Sequence, residues 1–91
     1  MNKFSLWDLW ITTDVKVNRV DGRSHKGHII CVDEGAEELG DDGIMVTVEN
    51  SEGIWGHMAK NIESIIIYEN GNQTYKITKE NNTWQKTALT Q

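Results

Sequence analysis

Residues 15–33 read Val15-Lys16-Val17-Asn18-Arg19-Val20-Asp21-Gly22-Arg23-Ser24-His25-Lys26-Gly27-His28-Ile29-Ile30-Cys31-Val32-Asp33. Val15 and Val17 alternate with polar neighbours, the period-2 pattern of a half-buried strand. Asp21-Gly22 is a hairpin signal, because a type I′ turn needs positive φ at both central residues and Asp-Gly tolerates it. The run Ile29-Ile30-Cys31-Val32 predicts a second strand over residues 25–33 whose two faces both become covered as it bends. Gly27 is the natural place for that bend. Two strands, a tight hairpin and a kink in the second strand therefore set the expectation of a small, curved, all-β fold.

Working outward, the pattern repeats. The chain has no proline, so glycine, asparagine and aspartate must make its turns. Asp42-Gly43, Glu52-Gly53 and Asn70-Gly71 divide the rest into short segments rich in β-branched residues. Ile44, Val46 and Val48 alternate with Met45, Thr47 and Glu49, and Ile54 to Ala59 follows. After a corner at Lys60-Asn61 come Ile62 and the run Ile65-Ile66-Ile67-Tyr68. Strands over 73–78 and 84–88, joined at Asn81-Asn82, complete a C-terminal hairpin. At the N-terminus, odd positions from Trp7 to Val17 read as a strand. Ser5 followed by Asp8 instead reads as a capping box, with Phe4, Trp7 and Ile11 on one helical face. The two patterns together predict a short helix or turn over residues 4–9 and a strand from Ile11 to Val20.

A chain of 91 residues is one domain. At this size only about 60–65% of the unfolded surface is buried, so self-association would help it. An apolar share of 37% is enough for a compact fold. The single cysteine, Cys31, forms no internal disulfide. No charged-then-apolar leader and no apolar run near the ~20 residues of a membrane span are seen, so the cytoplasm is the expected compartment. The sequons at Asn72 and Asn81 are read as chance matches on that basis. A net charge of −5 opposes phosphate-driven binding. Residues 16–28 are nevertheless locally basic. Residues 33–42 carry Asp33, Glu34, Glu37, Glu38, Asp41 and Asp42 without a base and read as a solvated loop.

Val15-Lys16-Val17, Asp21-Gly22-Arg23, Gly27-His28-Ile29 and Val32-Asp33 resemble the first motif of Sm and Sm-like proteins. Met58-Ala59-Lys60-Asn61-Ile62-Glu63-Ser64-Ile65 resembles the end of their second motif. The resemblance covers residues 11–68 and implies a five-stranded SH3-like small barrel, with residues 69–91 as an added C-terminal hairpin. In that family an asparagine four residues after the motif's aspartate contacts RNA, and an arginine and a glycine complete the pocket. Here those positions hold Glu37, Met58 and Ala59, which removes the contacts. What the resemblance leaves for RNA is Lys60 and Asn61, to which the local basic stretch adds Lys16, Arg19, Arg23 and Lys26.

Other chemistry is thin. His25, His28 and Cys31 are spaced by three, which on a strand sends successive members to opposite sides. A zinc site would also need His57 as a fourth ligand, so no metal or other cofactor is expected. The reading is that His25 and His28 lie on the surface and Cys31 in the core. No nucleophile with an oriented base is apparent, so no enzyme is expected and no small-molecule substrate is inferred. Four tryptophans remain. Trp7 and Trp10 cannot both face inward, which makes Trp10 a candidate interface residue. Trp55, between Gly53 and Gly56, and Tyr68 join it. The expected function is a non-enzymatic module that docks on a protein partner or on itself, with an Sm-like RNA-binding protein as the alternative and a small metal-binding or nucleolytic barrel centred on His25, His28, Cys31 and His57 as the remote one.

Overall fold

The computed structural model describes residues 2–34, 43–81 and 83–89. Seven full strands form one antiparallel sheet: β2 (Asp14–Arg19), β3 (Ser24–Glu34), β4 (Ile44–Asn50), β5 (Gly53–Met58), β6 (Ile62–Glu69), β7 (Asn72–Glu80) and β8 (Thr83–Ala88). The two-residue strand β1 (Asn2–Lys3) adds itself beside β8, giving the order β1-β8-β7-β6-β2-β3-β4-β5. No ladder among the described residues joins β5 to β6, so the sheet is open. All-β is therefore correct. Closure into five strands is not what the ladders show, because β6 also pairs with β7 and carries the sheet on through the C-terminal hairpin. The acidic stretch from residue 35 to 42, with Glu37, lies outside the described residues.

The alternation read from the sequence is the alternation observed. Val15 and Val17 on β2 are fully buried, opposite Ile67 and Ile65 of β6. Val46 and Val48 of β4 and Ile77 of β7 are buried as well. Trp84 from β8 and Leu6 and Leu9 from the N-terminal segment join the same core. The predicted bend falls in β3. A Cβ at Gly27 would collide with the Glu49 carbonyl oxygen and the Val48 side chain, so only glycine lets β4 cross at that point. A register shift between Ile29 and Cys31 adds to the curvature. Cys31 is consequently half-buried and opposite Thr47, not in the core.

Two turns behave differently from each other. Asn70 and Gly71 both have positive φ, 54° and 79°, as a type I′ hairpin requires. In the β2–β3 turn only Gly22 does, at 91°, and its amide donates to the Arg19 carbonyl at 3.1 Å. The expected type I′ turn is thus replaced by one in which the Asp21 carboxylate accepts from the Arg23 amide at 3.0 Å. The corner at Lys60-Asn61 is a 3-10 turn over Ala59–Asn61, and the Asn61 carbonyl accepts from the Val20 amide at 3.0 Å.

β2 begins three residues later than the alternation implied, at Asp14. Thr12 sits at φ 76°, and its amide donates to the Ile29 carbonyl at 2.6 Å. The left-handed residue breaks the strand before it can reach Ile11. Among the described residues no helix is long and apolar enough to cross a membrane.

Candidate functional site

The N-terminal segment is held at both ends by backbone hydrogen bonds. Phe4 donates to the Trp84 carbonyl at 2.9 Å, and Ile29 donates to the Thr13 carbonyl at 3.0 Å. Between these anchors a 3-10 turn spans Leu6–Asp8, with the Ser5 hydroxyl accepting from the Trp7 amide at 3.3 Å. Leu6 and Leu9 are its buried residues, at 1% and 7% exposure. A three-residue period that sends Leu6 and Leu9 inward sends Trp7 and Trp10 outward. Trp10 is 80% exposed, Ile11 60% and Trp7 47%. The face of Phe4, Trp7 and Ile11 expected of a helix is therefore not the buried one. Trp10 as the exposed member is observed, and Trp7 is exposed with it.

Beside this segment lies a groove of about 370 Å³. Phe4, Leu9, Trp10, Ile67 and Tyr75 supply its apolar lining, Asp8 and Glu69 two carboxylates, and Lys86 an ammonium. The Lys86 Nζ lies 4.2 Å from the Tyr75 ring centroid and 5.5 Å from that of Phe4. The even–odd reading of residues 7–17 missed Leu6 as an anchor. The Ser5–Asp8 capping signal was the one that held it.

A second cluster lies on the core-facing side, where side chains of β2, β3 and β5 meet. Arg19 Nη1 lies 3.1 Å from Nδ1 of His57, and Arg19 Nε donates to Asp21 Oδ2 at 3.1 Å. The His25 ring is stacked on Trp55 at 4.5 Å and lies 5.0 Å from the His57 ring. His57 is 1% exposed, and burial, then His25, then Arg19 push its pKa down to about 4. Arg23, through its side chain and its amide, and Arg19 hold the Asp21 carboxyl well below the usual carboxylate range. Trp55 is thus a half-buried packing partner of His25, and His25 points inward instead of lying on the surface.

The residues weighed for metal do not converge. His28 faces the outer side against Glu49, with Nε2 to Oε1 at 3.2 Å, while His25 and His57 face the inner side. Among the described residues no group of three or more metal-ligating side chains forms. Burial and the Asp33 carboxylate push the Cys31 thiol up, away from the thiolate a nucleophile needs.

The six residues weighed for RNA separate into two places. Lys16 and Lys26 are cross-strand partners on the outer face, with the Lys26 Nζ 4.4 Å from the Tyr68 ring centroid. Arg19 and Arg23 are both bonded to Asp21, at the end of the sheet where the Lys60–Asn61 turn meets Val20. Tyr68 is half-buried beneath Lys26. Comparisons with protein-family models, with curated proteins and with solved structures returned no match.

Proposed function

We propose that this chain is a non-enzymatic docking module that binds a segment of a partner protein on its N-terminal face. The observation that carries the reading is Trp10, 80% exposed on a segment whose neighbours Leu6 and Leu9 are locked into the core. An indole left in water while the backbone beneath it is anchored at both ends is apolar surface awaiting cover. With Ile11 and Trp7 beside it, and the groove against Tyr75 and Ile67, it makes a patch into which apolar side chains fit. Asp8 and Glu69 line the same groove and disfavour a phosphate backbone, as does the net charge of −5.

The scaffold under this reading is an SH3-like, Sm-like arrangement of five strands, left open between β5 and β6. The order β6-β2-β3-β4-β5, the bend at Gly27 and the 3-10 link between β5 and β6 support it. The hairpin of β7 and β8 occupies the free side of β6.

A photoreactive amino acid at position 10, with position 76 on β7 as the control, tests the function in cells. A discrete protein adduct from position 10 and none from position 76 is expected. An adduct at twice the chain mass would make the partner a second copy. Nucleic-acid adducts, or none from position 10, would overturn the reading.

A further inference from the structure

Resting on that docking reading, we infer that the groove beside the N-terminal segment is a cation site that receives a lysine or arginine side chain of the partner. Three aromatic rings, Phe4, Trp10 and Tyr75, line it together with the carboxylates of Asp8 and Glu69. Ring faces attract cations through their quadrupole, and carboxylates attract them through charge. The groove already uses this chemistry, since the Lys86 Nζ stands 4.2 Å from the Tyr75 centroid and 5.5 Å from that of Phe4; among the described residues Trp10 is the one of the three rings with no cation over it. Among the described residues neither Asp8 nor Glu69 is in an ion pair.

The charge count points the same way. Two carboxylates against the single Lys86 ammonium leave one uncompensated negative charge in the groove. One entering cation neutralises it, whereas an entering anion would meet both carboxylates. The volume of about 370 Å³ takes a lysine or arginine side chain with room for a flanking apolar group, and Leu9 and Ile67 offer surface for the alkyl stem. The ligand class is thus an alkyl ammonium or guanidinium carried on an apolar peptide. This is narrower than an apolar docking patch, which would be indifferent to charge.

The test is an NMR titration of the full chain with two probe peptides, acetyl-Leu-Lys-Leu-amide and its norleucine counterpart. The Trp10 indole signal is assigned from Trp10→Phe. The lysine peptide is expected to shift the Trp10 indole and Tyr75 ring signals saturably, with the norleucine peptide at least fivefold weaker. In the double variant Asp8→Asn, Glu69→Gln the two peptides should come within twofold of each other. Both sites are exposed, so amide shifts away from the groove should be unchanged. Equal affinity of the two peptides for the parent overturns the cation site and leaves the docking reading intact. Absence of saturable shifts with either peptide also overturns it, while the docking reading falls only if the position-10 crosslink fails.

Discussion

Arg19 and His57, 38 positions apart in sequence, meet with Nη1 3.1 Å from Nδ1 and tie the end of β2 to β5. A guanidinium is always a donor. His57 therefore accepts at Nδ1 and is neutral, with its proton on Nε2. That nitrogen is buried without a hydrogen-bond partner among the described residues.

Stability should depend on pH through this contact. The pKa of His57 is about 4 in the folded protein against an ordinary 6.5, so the unfolded chain takes up the proton first. Stability is complete above pH 6.5 and is lost as the pH falls from there towards 4. Linkage gives a loss of about 2 kcal/mol by pH 5. Urea unfolding at pH 7.5, 6 and 5 measures it. His57→Gln keeps an acceptor for Arg19 and should remove most of the slope; an unchanged slope would place its origin elsewhere. Asp21 acts in a lower window, its contribution being lost as the pH falls below the ordinary carboxylate value near 3.8.

The glycines of β3 and β5 should differ. Gly27→Ala drives a methyl into the Glu49 backbone, which cannot yield without moving β4, and a loss of about 2–3 kcal/mol is expected. At Gly56 the new methyl meets only the Met45 thioether, 2.9 Å away at the end of a flexible side chain. Gly56→Ala should cost under about 1 kcal/mol. Comparable losses in thermal unfolding would refute the assignment of Gly27 as the bend.

Two tryptophans of similar chemistry should be energetically unlike. Trp84 is 1% exposed in the core, and Trp84→Ala should cost about 3–5 kcal/mol. Trp10→Ala should stay within about 0.5 kcal/mol of the parent in the same chemical denaturation assay. A large loss at Trp10 would mean that it holds the fold together and is not a surface reserved for a partner.

Lys16 and Lys26 stand directly opposite each other, a like-charge pair that costs stability. Lys16→Glu should stabilise the fold by about 0.5 kcal/mol at low salt. The gain should shrink in 1 M salt, where the screening length is about 3 Å. A destabilised variant would show that another neighbour dominates at Lys16.

The class of the fold was legible in the sequence because it depends on local rules. Alternation at Val15 and Val17 and at Ile44, Val46 and Val48 reports which side of a strand meets the core, and a one-residue shift would turn every one of them out. Gly27 announced a bend because a residue without a Cβ, just before the apolar run Ile29 to Val32, lets the neighbouring strand approach closely. Asn70-Gly71 announced its turn because few residues adopt positive φ at both positions. Relations between distant segments were not legible. Whether β6 closes on β5 or passes the sheet on to β7 is a choice between two edges that present the same backbone groups. The inward turn of His25, the neutral state of His57 and the role of Asp21 all follow from the approach of β2, β3 and β5. At the N-terminus, two local patterns fit residues 4–11 equally well. The hydrogen bonds of Phe4 and Thr12 to strands far along the chain chose the one that buries Leu6 and Leu9. That choice, made by tertiary contacts, is what leaves Trp10 in water.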